Sequence, residues 1–233
     1  MVGGGVWRAY DTGVFSVGKG PAFEPWKDWQ ETKSCPLALV RAAILAASPH
    51  NTQPWLFKVT DSAIDLILDC RRYPGALDPY LREEHIGMGC ALENLMLAAA
   101  ANGYDATAKL LPGKLIESAA YPVHELVAQI GLVQGQKLQS ELYDAIPFRH
   151  TNRNQYHMTT LPLDFIEKIR QLPGDDAHVK VFLFTEAKDR SRIVDMISKA
   201  NDIVYADPLV DRGSNQWFRT EWSDVQKFRD GLI

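Results

Sequence analysis

Ser48-Pro49-His50-Asn51-Thr52-Gln53-Pro54-Trp55 separates an apolar helical stretch, Leu37–Ala47, from the run Trp55-Leu56-Phe57-Lys58-Val59, which reads as a strand. A connector from helix to strand needs only to be short, yet this one is built from Ser, His, Asn, Thr and Gln between two prolines. Each proline holds its own φ at about −65° and biases the residue before it toward extended geometry. The loop is therefore expected to be stiff, with backbone N–H groups and the Asn51 side chain held out as donors. That edge suits a flat heteroaromatic ligand with a polar rim. A proline-bounded turn with no ligand satisfies the same composition.

Outward from the loop, Leu37, Val40, Ile44 and Leu45 fall at helical spacing, so Leu37–Ala47 is predicted as an amphipathic helix. Trp55–Val59 and Ile64–Leu68 are predicted strands, and the short Thr60-Asp61-Ser62-Ala63 link predicts a hairpin. Glu83–Asn102 is the strongest helix, with Gly103 as its stop and apolar residues nearly all round, which predicts burial at a core or an interface. Ala106–Leu111 and Leu126–Val133 read as further strands. Residues 1–34, with Trp7, Trp26 and Trp29 among many Gly and Pro, read as an extended arm.

The pattern then begins again. A helix over Leu138–Ile146 leads to Arg149-His150-Thr151-Asn152-Arg153; a helix over Leu163–Leu172, a strand over Val179–Phe184 and a helix over Ala187–Val204 follow. The organisation is thus an arm (1–34), a first half (35–136) and a second half (137–233). Where the first half has its octapeptide, the second reads Pro173-Gly174-Asp175-Asp176-Ala177-His178, without the Asn and Gln donors.

Composition narrows the function. The 233 residues are 46% hydrophobic and 23% charged, ordinary for a globular chain. A net charge of −4 and a pI near 5.9 argue against nucleic-acid binding, which needs a basic footprint. Cys35, Cys70 and Cys90 form no Cys-x-x-Cys pair, so neither a disulfide framework nor a zinc site is indicated. No run reaches the roughly 18 apolar residues of a membrane span, because Arg41 and Glu93 interrupt the candidates. Gly87-x-Gly89 has Leu92 where a third glycine would stand and lies within a helix, so the dinucleotide fingerprint is not met. His85, Cys90 and Glu93 do not share one helical face well enough to be metal ligands, and no metal is expected. Met1-Val2-Gly3-Gly4-Gly5 is not a signal peptide, having neither a basic nor an apolar region. Asp207-Pro208 and Gln216–Trp222 are candidate parts of a substrate cover that the residues alone do not decide.

Arg149, Thr151 and Arg153 alternate, so an extended segment would project them to one side. Two guanidiniums and a hydroxyl suit a phosphate and a polyol chain, since Arg makes bidentate charge-assisted bonds. A solvated charged loop has the same composition.

Ser-Pro-His-Asn-Thr-Gln-Pro-Trp resembles the Ser-x-x-Asn-x-Gln-Pro-Trp signature of the nitroreductase family of FMN-dependent oxidoreductases, and Arg149–Arg153 is similar to that family's Arg-x-Ser-x-Arg. Gly87–Leu95 and Leu97–Gly103 look like its long central helix. The Arg motif follows the Asn-Gln-Pro-Trp motif here, an order that resembles the Acg-like branch, in which one chain holds two nitroreductase-like halves as a pseudo-dimer. The likeness runs from about Val6 onward. It implies an α+β nitroreductase-like fold, a mixed sheet flanked by helices in two pseudo-repeated halves, with the second apparently C-terminally incomplete. It also implies an enzyme that passes electrons from NAD(P)H through FMN to a nitroaromatic, quinone or similar acceptor, with no catalytic side chain because the chemistry is borne by the flavin. The alternative is a chain that holds FMN without turnover, or a degenerate scaffold. By the family pattern, Arg149 would serve the phosphate and ribityl end, with Thr151 keeping the usual hydroxyl, and Arg153 would lie near N1 and O2 of the ring. Ser48, Pro49 and Asn51 would contact the ring from the other half. His50 is either a donor to ring or substrate or an ordinary surface residue, and Gln53, Pro54 and Trp55 mainly fold the loop. The chain would be a monomeric pseudo-dimer or a homodimer. It would be cytoplasmic as it stands, or exported if a longer parent carries the twin-arginine leader that family relatives often have.

Overall fold

The computed structural model describes residues 2–13, 15–16, 18–30, 33–157, 159–172, 174 and 179–232. The helices and strands in chain order are α1 (Val2–Asp11), α2 (Glu24–Asp28), α3 (Pro36–Ala43), β1 (Trp55–Val59), β2 (Ala63–Asp69), α4 (Arg82–Ala101), β3 (Tyr104–Leu110), β4 (His124–Gln134), α5 (Glu141–Ala145), α6 (Leu163–Gln171), α7 (Ala187–Tyr205), α8 (Pro208–Asn215) and α9 (Trp222–Phe228). Two compact units result: Met1–His150 with Pro208–Ile233, and Thr151–Asp207. The division expected after residue 136 lies instead after residue 150, and the last helices return to the first unit.

In the first unit the four strands run in the order β1-β2-β4-β3, and every pairing within the sheet is antiparallel. The isolated bridge Phe218–Leu232 is parallel. The expected hairpin joins β1 to β2: Thr60 N–H donates to the Ala63 carbonyl, and Thr60 Oγ1 accepts from Ala63 N–H at 3.0 Å. Alternation decides which face is covered. Ile64, Leu66 and Leu68 of β2 and Ala128, Ile130 and Leu132 of β4 all point into the core, with Ile64 opposite Ile130 and Leu66 opposite Ala128. Helices α3 and α4 close that face with Leu39, Ala42 and Ala43 from one and Met88, Ala91, Leu95, Ala98 and Ala99 from the other. The α+β class, with helices flanking a sheet, is as expected.

Helix α4 runs to Ala101 and stops at Gly103, whose φ of +82° is the left-handed geometry a glycine stop supplies. Its first turn is held by Asp78, whose carboxylate accepts the N–H groups of Arg82, Glu83 and Glu84 at 2.8, 2.9 and 3.1 Å. That satisfies three donors the helix leaves unpaired and places negative charge at its positive end. The helix is not buried all round, since Ile86, Gly89, Cys90 and Glu93 form an exposed stripe at i, i+3, i+4, i+7 spacing.

Several local expectations are corrected. Helix α3 ends at Ala43 rather than Ala47, because the Leu45 and Ala46 amides tighten onto the Ala42 and Ala43 carbonyls as the chain turns toward Pro49. The arm 1–34 is not extended: α1, α2 and a 3₁₀ turn at Pro21–Phe23 occupy it, the proline presetting φ for the turn. Leu138–Ile146 forms only the short α5, capped by Ser140 Oγ accepting from Tyr143 N–H, followed by a 3₁₀ turn at Ile146–Phe148. Val179–Phe184 is irregular rather than a strand, with Val179, Val181, Phe182 and Phe184 all exposed; β-propensity without a paired neighbour does not make a strand. In the loop Pro173–His178, all but Gly174 lie outside the described residues.

In the second unit, α6 and α7 keep the helical spacing their sequence predicts, and Ile166 is the buried residue among those described there.

Two measurements check this architecture. Leu95 is fully buried, so Leu95→Ala should lower unfolding free energy by about 2–5 kcal/mol in a denaturant titration, and an unchanged midpoint would mean that this face of α4 is not core. Amide hydrogens of α7 should exchange well ahead of those of β2 and β4, because local opening is easiest where few apolar groups are buried; equal protection would contradict the exposure described for the second unit.

Candidate functional site

The octapeptide joins α3 to β1 as a strained but well-tied loop. Pro49–Asn51 is a 3₁₀ turn, and His50, Asn51 and Gln53 take φ of +47°, +53° and +48°. Left-handed geometry costs a non-glycine residue roughly 1–3 kcal/mol, and persists only where the surroundings over-determine it. Here they do. Ser48 Oγ accepts from Gln53 N–H at 3.0 Å, and the Asn51 and Thr52 amides donate to the Ser48 and Pro49 carbonyls. Gln53 therefore escapes the extended geometry that Pro54 favours. Pro54 and Trp55 fold the loop as expected: both are buried, and the Pro54 carbonyl accepts Asp69 N–H at 2.7 Å.

Beneath the loop Thr52 has no exposure. Its hydroxyl lies 3.0 and 3.2 Å from the two carboxyl oxygens of Glu84 on α4, and its carbonyl accepts Arg72 Nε at 2.7 Å. Burial pushes the Glu84 carboxyl up to about 8, opposed by the Thr52 hydroxyl and reinforced by Asp78 and Glu83. Gly87 lets the loop approach the helix: a Cβ there would stand 3.3 Å from Pro49 Cδ and 3.4 Å from Ser48 Cα.

The upper side of the loop is met by Arg229–Gly231, a contact nothing in the sequence announces. Asn51 Nδ2 donates to the Gly231 carbonyl at 3.1 Å, Gly231 N–H returns a bond to the Asn51 carbonyl at 3.0 Å, and Gln53 Nε2 donates to the Arg229 carbonyl at 2.6 Å. The Asn51 side chain, expected to be held out free, is thus engaged. Asp230 between them is buried against two arginines, with Arg72 Nη2 at 2.5 Å and Arg219 Nη2 at 2.6 Å. Both guanidiniums lie over the Trp217 ring, 5.2 and 5.8 Å from its centroid, and Trp217 Nε1 donates to the Tyr73 carbonyl.

Asn51 and Arg149, expected to serve one ligand, do line one cavity, of about 340 Å³, together with Trp26, Gln53, Arg229 and Gly231. The volume is at the lower end of the roughly 300–1,000 Å³ of ligand pockets. The Arg149 guanidinium stacks over Trp26, 5.5 Å from the ring centroid, and Nη2 donates to the Leu45 carbonyl at 3.3 Å. Its Nε is buried without a protein partner, and burial holds the group below its ordinary pKa. A half-buried cation with a buried, unpaired Nε beside a side-chain amide fits an anionic or polar-edged ligand such as FMN. Ser48 and Pro49 open instead on a second groove of about 340 Å³, against Ile86, Gly87 and Cys90 of α4. His50 is neither free nor an ordinary surface residue: Nε2 is 2.7 Å from Ser214 Oγ on α8. Thr151 and Arg153 belong to the second unit, where both are exposed on irregular chain.

The remaining candidates resolve simply. His85 Nδ1 donates to the Leu81 carbonyl at 2.7 Å, and no group of three or more His, Cys, Asp or Glu among the described residues could hold a metal. The three cysteines are free, and burial raises the Cys70 thiol to about 11. Gln216 and Trp217 bond the Tyr73 carbonyl. No helix among the described residues is long and apolar enough to cross a membrane.

An antiparallel sheet flanked by helices, with a Ser-x-x-Asn-x-Gln-Pro-Trp loop at the helix-to-strand junction, is consistent with the nitroreductase-like class. No family profile matches the chain. It is similar to the Acg proteins of Mycobacterium tuberculosis strains CDC 1551 and H37Rv, which are named, by inference, as NAD(P)H nitroreductases, at 31% identity over 118 residues. The match takes in 49% of this chain and 33% of each relative, so the chain spans about a third of the length of the curated relatives it matches. The nitroreductase family, in its Acg-like branch, is the one this similarity supports. A crystal structure of an NADH oxidase, so named by inference, from Clostridium acetobutylicum aligns with 60% of this chain and 92% of its own at 20% identity and a TM-score of 0.33, a likeness from which nothing follows for this chain.

Glu84 ties stability to pH. Its carboxyl is raised from an ordinary 4.5 to about 8, so between those values the folded chain holds a proton the unfolded chain has released. Its stabilising contribution is complete below pH 4.5 and is lost as pH rises through about 8. The Tm should therefore fall between pH 5 and 8, and Glu84→Gln should flatten that fall; parallel Tm curves for the two proteins would assign the slope to another group.

Proposed function

We propose that this chain is the flavin-binding part of an FMN-dependent oxidoreductase that takes electrons from NAD(P)H and delivers them to a nitroaromatic, quinone or similar small acceptor. One observation carries the reading: the cavity that Asn51 and Arg149 share, in which the arginine keeps a buried, unpaired Nε. The names of the Acg relatives support an oxidoreductase and NAD(P)H as the electron donor. When bound, FMN would supply the redox chemistry, so the chain needs no nucleophile and its side chains bind and orient. Arg149 supplies charge-assisted hydrogen bonds toward the phosphate and ribityl end. Asn51 meets the ring. The assembly is a monomeric pseudo-dimer or a homodimer.

A second reading, FMN held without turnover, draws on the engagement of the Asn51 and Gln53 amides by Arg229–Gly231. Reduction separates the two: bleaching of the yellow protein by NAD(P)H favours the enzyme, and a yellow protein inert to NAD(P)H favours storage.

The cofactor assignment is tested by Arg149→Ala. A charge-assisted hydrogen bond is worth about 1.5–3 kcal/mol, and about 1.4 kcal/mol is tenfold in affinity. FMN affinity should fall roughly 10- to 150-fold in a fluorescence titration, with a smaller loss for riboflavin, which lacks the phosphate. Equal losses for the two flavins would remove Arg149 from the phosphate, and no loss for either would remove the flavin reading.

A further inference from the structure

The polar edge of the octapeptide is already occupied by the chain itself. Asn51 and Gln53 spend their side-chain amides on the carbonyls of Gly231 and Arg229, and the Gly231 amide closes a second bond to Asn51. Residues 229–231 also form part of the wall of the cavity that contains Arg149. A ligand that needs the Asn51 amide and this segment therefore meet at the same donors.

The segment is built to dock reversibly. Arg229 and Gly231 both take left-handed φ, +56° and +81°. For arginine that geometry is strained, and it is held by the bonds on either side. Asp230 is the fastener, its two carboxylate oxygens shared between Arg72 and Arg219 over the Trp217 ring. Arg72 also donates to the Thr52 carbonyl under the loop, so one guanidinium bridges loop and segment. Beyond Asp230, Gly231 lies so close to Trp217 that a Cβ would stand 2.3 Å from the Trp217 carbonyl oxygen, and Leu232 N–H donates to that same carbonyl at 2.7 Å. The hold on the octapeptide is polar throughout, so a ligand with its own polar edge can replace these bonds one for one as the segment leaves.

We propose that Arg229–Gly231 is an autoinhibitory strap, which must leave the octapeptide before a flavin can take the Asn51 amide. This rests on the flavin reading of the cavity. Apparent affinity is then the intrinsic affinity reduced by the fraction of molecules with the strap undocked.

Gly231→Ala tests it, because the added Cβ cannot be seated against Trp217 and the substitution leaves the Asn51 and Arg149 side chains unchanged. Two quantities are measured on the whole chain: amide exchange at Leu232, which reports docking, and FMN affinity by fluorescence titration. Faster exchange at Leu232 together with at least tenfold tighter FMN is the expected result. Asp230→Asn, which weakens the fastener while keeping its shape, should shift both quantities in the same direction and serves should the first variant fail to fold. Faster exchange with FMN affinity unchanged or weakened overturns the strap and leaves flavin binding standing. Released variants that bind no FMN at all overturn the strap and the flavin reading together.

Discussion

Thr52 is the residue on which the site depends. Its hydroxyl is held by Glu84 of α4, its carbonyl by Arg72 just after β2, and its amide by the Pro49 carbonyl. Helix, the end of β2 and the loop are thereby tied at one fully buried point. With that point fixed, the left-handed residues on either side can be borne, because the strain is spread over bonds that unstrained alternatives would break. The cost falls on Glu84, a carboxyl without exposure that favours its proton because burial penalises the charge more than one hydroxyl and a neighbouring arginine offset.

The same logic separates the two arginine systems of the first unit. Arg72 and Arg219 are satisfied by Asp230 and stack on Trp217, so their charges are balanced within the chain. Arg149 donates one bond to a backbone carbonyl and buries Nε unpaired, while Asp230, the carboxylate in the same cavity lining, is bound by Arg72 and Arg219. A buried donor left unpaired on a charged group is costly unless something else completes it. That contrast points to Arg149, rather than the larger arginine-rich cleft of about 440 Å³ around Trp217, as the place where a ligand contributes.

Periodicity carried most of the first unit. Ile64, Leu66 and Leu68 alternate and form a strand; the apolar run of Arg82–Ala101 and its Gly103 stop form a helix. It failed where a segment needs a partner the local pattern does not contain. Val179–Phe184 has the β-branched and aromatic residues of a strand, yet it is unpaired and irregular, because a strand is stabilised by its neighbours rather than by itself. The exposed stripe Ile86-Gly89-Cys90-Glu93 was hidden for a related reason: apolar content all round a helix does not say which side the sheet takes.

The sequence by itself determined the elements around the octapeptide, which follow from residue type and spacing, while Asn51 and Arg149 stood out, among seven candidates, through the resemblance to a known family. Tertiary structure alone decided that these two share a cavity, that Ser48 and Pro49 open on a different groove, and that Gly231 claims the Asn51 amide from 180 positions away. Contacts of that separation leave no periodic trace. They arise when the chain's return brings a left-handed glycine and a buried aspartate against a loop whose donors are satisfied as well by the chain's own carbonyls as by a ligand.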